Sequence, residues 1–173
     1  FWTDGDQIRR TDAEPPRDVL WQPPRLLPDA INTGADEYEP ALDPDGRVLV
    51  FVRGRAGTGA DLYVAERSSS GWTEAAPIDA LNTEFEELGP SLSADGRALY
   101  FYSDRPGGLG GYDLWLAERT EDGWSAPVNL GPSVNSAYNE YGPAVAADDT
   151  TLYFASNRPR RAEDRPDDDA WPA

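Results

Sequence analysis

Cysteine and histidine are both absent from the 173 residues. Without cysteine there is no disulfide framework and no thiolate zinc site. Without histidine the usual general base and the commonest metal ligand are gone, and with them every serine or cysteine triad that needs an imidazole. Lysine is missing too, so all 15 basic residues are arginine, against 32 acidic residues and a net charge of -17. Such a surface repels phosphate backbones and anionic lipid, which argues against nucleic-acid and membrane-surface binding; basic partners stay open. No run approaches the roughly 18 consecutive apolar residues of a membrane span. Nor does any segment carry a helical period of useful length. Phe1-Trp2 runs straight into Thr3-Asp4-Gly5-Asp6 with no signal-like start, so any export information is expected upstream.

What is present is a repeat. INTGADEYEPALDPDGRVLVFVRGR from Ile31 recurs as LNTEFEELGPSLSADGRALYFYSDR from Leu81 and VNSAYNEYGPAVAADDTTLYFASNR from Val134. Asn32, Asn82 and Asn135 are 50 and 53 residues apart, and Phe51, Phe101 and Phe154 keep the same spacings. A period of this size marks stacked supersecondary units. Within unit one, Tyr38 to Leu42 reads as a first strand and Asp43-Pro44-Asp45-Gly46 as a hairpin turn, because Pro presets φ and Gly accepts a positive one. Val48 to Val52 reads as a second strand, Asp61 to Ala65 as a third and Trp72 to Ile78 as a fourth. Unit two repeats the order with Leu92, Ala98 to Tyr102, Asp113 to Glu118 and Trp124 to Leu130. Sequential strands joined by tight turns are antiparallel. The 16 Gly and 16 Pro, without a short period, mark frequent turns.

The fold predicted is all-β: a β-propeller of four-stranded antiparallel blades, incomplete at about three blades, two full and two half. Residues 1–27 form a partial blade holding third and fourth strands, from Asp6 to Arg10 and Trp21 to Pro24. Blade one covers 28–79 and blade two 80–131. Residues 132–173 form a second partial blade, in which Asp169-Ala170-Trp171 falls where Asp113-Leu114-Trp115 stands in unit two. Closed propellers have about four to eight blades, so one copy should not close a ring.

Asp95-Gly96, Phe101, Ser103, Arg105-Pro106-Gly107-Gly108, Gly110-Gly111, Asp113, Trp124 and Pro143 carry a resemblance to the TolB-like, WD-like propeller repeat of bacterial envelope proteins. The match runs from about Trp21 to Pro159. Unit one departs from it at Arg53-Gly54-Arg55 and unit three at Asp148-Asp149. Kelch propellers share the look of Gly110-Gly111, Tyr112 and Trp124, but their glycine pairs recur in every unit. The resemblance implies a periplasmic or other envelope location and a protein or cell-wall partner, and it implies no enzyme.

Three sets of charged residues are candidates for chemistry. Glu37, Glu87 and Glu140 would form a ring of carboxylates, the raw material of glycoside hydrolysis. Their recurrence in each unit points instead to holding the inter-blade loop by hydrogen bonds. Arg55, Arg105 and Arg158 could bind an acidic group bidentately, or could form a repeated internal ion pair with Asp61 and Asp113. Glu163 to Asp169 offers clustered oxygens for Ca²⁺ but matches no established calcium loop, so no cofactor is expected. Trp72 and Trp124, in register with Trp21, read first as blade packing. Binding is sought where the repeat breaks: Tyr102, Arg105, Leu109 and Tyr112 in unit two, and the 160–169 insertion. The alternatives to a binding module are a propeller glycosidase, the propeller cap of a hydrolase, and a half-ring that self-assembles, as a homodimer for instance, through exposed strand edges.

Overall fold

A computed structural model describes residues 2–4, 7–10 and 23–159, the first two stretches as backbone strands only. Trp21, Glu163 to Asp169 and the Asp169 to Trp171 match lie outside the described residues. Every described element is a strand. β1 (Trp2–Asp4), β2 (Gln7–Arg10) and β3 (Arg25–Leu26) make one sheet. β4 (Glu37–Leu42), β5 (Val48–Arg53) and β6 (Asp61–Ser68) make the next, with β7 (Gly71–Trp72) and β8 (Ala76–Pro77) both paired to β6. The third repeats it as β9 (Glu87–Leu92), β10 (Ala98–Ser103) and β11 (Asp113–Thr120), with β12 (Gly123–Trp124) and β13 (Val128–Asn129) on β11. β14 (Glu140–Val145) and β15 (Leu152–Ser156) form a two-stranded fourth sheet. All pairings are antiparallel.

Two details differ from the sequence expectation. The fourth strand of each full blade is split, and in blade one the Ala75 N–H after Trp72 turns away to Ala30 O at 2.9 Å before β8 rejoins β6. In the first sheet the outer described strand is Arg25–Leu26, with Pro23 and Pro24 outside it and Trp21 and Gln22 outside the described residues, and a short strand, Trp2–Asp4, precedes Gln7–Arg10, within the expected Asp6 to Arg10.

The core lies between the sheets. Along β5, Leu49 and Phe51 pack with Leu27, Ile31 and Ala65 towards the first sheet. Val50 and Val52, on the other face, pack with Leu88, Leu99 and Phe101 of the next blade. All four β5 residues are fully buried, which explains why this strand reads as a continuous apolar run: successive side chains point to opposite faces, and both faces are covered. β9 packs across β4, β5 and β6, and β14 packs across β9, β10 and β11. Blades therefore stack side by side, with the first strands β4, β9 and β14 as inner neighbours.

Each first strand is bulged before its proline. The pairing of β4 with β5 slips between Tyr38 and Ala41, and equivalent slips occur in β9 and β14. Gly89 and Gly142 take left-handed φ of 57° and 53° at this bulge, and Glu39 takes 50° in unit one. An extra residue in one strand forces this conformation, and glycine adopts it at least cost.

Candidate functional site

The repeated polar residues form an internal frame. Glu87 is wholly buried and accepts hydrogen bonds from Thr83 N at 2.8 Å, Thr83 Oγ1 at 2.7 Å and Ser103 Oγ at 3.1 Å, and pairs with Arg105 at 2.9 Å. Arg105 also donates to Leu81 O at 2.6 Å and lies over the Phe101 and Trp115 rings at 4.9 and 5.3 Å. Burial pulls its pKa down, against the pull of Glu87 upward. Glu140 repeats the arrangement with Ser136, Ser156 and Arg158. Burial pushes the Glu140 carboxyl up, but hydrogen bonds from Ser156, Ser136 and Arg158 prevail and hold it below its usual range.

Unit one uses a different arginine from the one its spacing suggests. Arg53, not Arg55, pairs with Glu37 at 3.0 Å, donates to Ile31 O at 2.8 Å and stacks over Tyr63 at 4.4 Å. Arg55 is exposed. The reason is local: Arg53 occupies the place of Ser103 and Ser156, so its side chain reaches the glutamate directly from the strand end. The arginine partner is also glutamate throughout, not the aspartate expected. Asp113 instead accepts from Leu109 N, Gly110 N and Asn129 Nδ2, closing the glycine loop. Asp61 is half-buried, and burial, then Asp79, raises its carboxyl pKa.

The asparagines bridge units. Asn82 accepts from Leu62 N and donates to Leu62 O, both at 2.9 Å, and Asn135 does the same to Leu114 at 2.8 and 2.9 Å. A carboxamide offers donor and acceptor side by side as a peptide does, so it pairs like one more ladder residue. Asn32 donates to Leu27 O at 3.0 Å. Trp72 and Trp124 are half-buried beneath Arg67 and Arg119, at 5.9 and 5.4 Å.

Tyr102 and Tyr112, which break the repeat, gather with other residues elsewhere, at the end of the blades where the first and third strands begin. Tyr102 and Tyr112 meet edge to face at 5.6 Å, and Tyr141 of the next blade joins both, at 5.7 and 5.8 Å. The Tyr102 hydroxyl donates to Glu39 at 3.1 Å, and the other oxygen of Glu39 accepts from Gly89 N at 2.8 Å. The Tyr112 hydroxyl donates to buried Glu86 at 2.6 Å, which also accepts from Gly57 N. Tyr38 adds a hydroxyl oxygen that is buried and has no hydrogen-bond partner. Burial, then Glu39 and Glu86, pushes its pKa up to about 12. The Tyr102 and Tyr112 phenols are raised as well, by burial first and then by Glu39 and Glu86 respectively. These three phenols keep their protons at neutral pH.

Of the four sequence candidates, the structure brings Tyr102 and Tyr112 together. Arg105 belongs to the internal frame, and Leu109 projects from the glycine loop, 48% exposed. Sequence reasoning missed Tyr38, Glu39, Glu86 and Tyr141. The signal for Glu39 was there: it stands where the other units have Gly89 and Gly142.

An array of antiparallel blades stacked through their faces, unclosed in the described residues, is a β-propeller segment. Its likeness is to TolB: a TolB-type protein from Agrobacterium tumefaciens matches with a TM-score of 0.56 and 25% identity, over 77% of this chain and 41% of that one. TolB from Acinetobacter baumannii matches at 0.48 and 17% identity, over 70% and 26%. The chain therefore spans about two-fifths of the first of these proteins, and its fold is that of a TolB-like propeller segment. No protein-family model matches the sequence, and no curated protein does.

Proposed function

We propose that this chain is a non-enzymatic binding segment of a TolB-like propeller, holding a protein partner in the bacterial envelope. The observation that carries this reading is the Tyr102, Tyr112 and Tyr141 cluster. It is built from three aromatic residues on two blades, two of them, Tyr102 and Tyr112, break the repeat, and its half-exposed rings sit on a scaffold ordered by buried ion pairs. Exposed aromatic surface on a rigid base suits protein recognition, since it offers large contact area at little conformational cost. The fold likeness to the A. tumefaciens protein supports the envelope setting.

The glycosidase alternative loses its main support. Glu37, Glu87 and Glu140 are fully buried, and each is engaged by an arginine and by hydroxyl and backbone donors. A glycosidase needs one carboxyl protonated and another free to act on the sugar.

The test is site-specific photo-cross-linking in cells of the source organism. A photoreactive residue at position 141 is expected to give one discrete adduct in the envelope fraction, and the same residue at Val128, exposed on the outer strand, none. Equal labelling from both positions, or none in the envelope fraction, sinks the reading.

A further inference from the structure

The carboxylates of the tyrosine cluster lack the arginine that the repeated glutamates of this fold have. Glu37, Glu87 and Glu140 each hold an arginine. Among the described residues Glu39 and Glu86 have no ion pair, although Glu39 is half-buried and Glu86 is only 5% exposed. Their hydrogen bonds come from two backbone amides and two phenols, all neutral donors. A buried carboxylate without a counter-charge is costly, and the cost falls when a cation arrives.

Three further observations point the same way. Glu39 keeps a left-handed backbone, φ 50°, at a position where both other units use glycine, so its side chain is held there against a conformational cost. The Tyr38 hydroxyl is buried beside these charges with its oxygen unpartnered. The rings of Tyr102, Tyr112 and Tyr141 are half-exposed around the carboxylates, and a ring face attracts a cation.

Resting on the protein-binding reading above, we infer that the cluster of Tyr38, Glu39, Glu86, Tyr102, Tyr112 and Tyr141 receives an arginine side chain presented by the partner. The guanidinium suits it better than an ammonium. It is planar, so it stacks on a tyrosine face while its edge donates to carboxylate oxygens, and it is weakly hydrated, so it enters a partly buried site at lower cost. The fold already contains this chemistry internally, where Arg53 lies between Glu37 and the Phe51 and Tyr63 rings.

The probe is N-acetyl-arginine amide, with the citrulline amide as its neutral isostere, titrated into the 173-residue chain while the tyrosine ring signals are followed by NMR. The arginine probe is expected to shift the Tyr102, Tyr112 and Tyr141 signals and to bind at least about tenfold more tightly than citrulline. Glu39→Gln should weaken it about tenfold. Tyr141→Leu should weaken it as well, in a protein that keeps its fold, because Leu88 stands at that position in unit two. Glu74→Gln, at an exposed site away from the cluster, should leave binding unchanged. Equal binding of citrulline, or equal weakening by Glu74→Gln, would show general attraction to a chain of charge -17 and overturn the inference. A cross-linked partner without arginine binding refutes the arginine site alone. Arginine binding without any cross-linked partner supports the site and refutes the protein-binding reading.

Discussion

At the scale of the residue, the molecule is organised by buried ions. Arg105 and Glu87 are 9% and 0% exposed at the side chain, and their mutual attraction is reinforced by hydroxyl, backbone and ring contacts. Removing one member of such a pair strands the other charge in a poorly polarisable interior. Arg105→Ala is therefore expected to lower stability by about 3 to 5 kcal/mol, read from the urea unfolding midpoint. Arg55→Ala, at an exposed position, should stay within about 0.5 kcal/mol of the parent. Similar losses at the two positions would mean that Arg55 holds unit one as Arg105 holds unit two. Arg158 should give a smaller loss than Arg105, because its side chain is 38% exposed and water screens the charge left behind.

At the scale of the element, neighbouring blades are latched by residues that depart from the repeat. Glu39 and Asp149 are the two described non-glycine residues with left-handed φ, and each carboxylate accepts a backbone N–H from a neighbouring blade, at Gly89 and Ala94 respectively. The strain of the left-handed turn is thus offset by a bond between blades. Glu39→Gly loses the latch and relieves the strain, whereas Glu39→Ala loses the latch and keeps it. The alanine variant should be the less stable of the two by about 1 to 2 kcal/mol, measured by thermal or urea unfolding. If the two variants are equal, the bulge has no left-handed residue at position 39. The glycine loop makes the opposite kind of contact: a Cβ on Gly110 would lie 1.9 Å from Tyr138 O, so that loop seats on the next blade only because the side chain is absent.

At the scale of the whole molecule, a charge of -17 acts on every blade at once. Like charges spread over the surface repel, and compaction brings them closer, whereas the buried Glu–Arg pairs are poorly reached by salt. Raising the ionic strength from about 0.01 M to about 0.15 M, which shortens the screening length to roughly 8 Å, should raise the unfolding midpoint. A midpoint that falls with salt would show that surface attraction outweighs the net repulsion. Assembly belongs to this scale too. β15 pairs only with β14 among the described residues, and Tyr153 and Phe154 on it are 65% and 36% exposed, while Phe51 and Phe101 at the equivalent place are buried.

The architecture was legible in the chain because it depends on period and local chemistry. Asp43-Pro44-Asp45-Gly46 is a turn wherever it occurs, and an apolar run such as Val48 to Val52 between turns is a strand with both faces covered. The 50- and 53-residue spacings then place equivalent residues on successive blades. Partners across space were not legible. Arg53 and Arg55 lie two residues apart, and only the pairing of β4 with β5, which sets Arg53 opposite Glu37, decides which guanidinium reaches that carboxylate. Tyr102, Tyr112 and Tyr141 belong to two blades, and their rings meet only because β14 packs across β10 and β11. Glu39 showed in the sequence as a glycine replaced, but its reach to Gly89 and Tyr102, 50 and 63 residues further on, follows from blade stacking. Local conformation is encoded in neighbouring residues; the environment of a charge is set by whatever the rest of the fold brings against it.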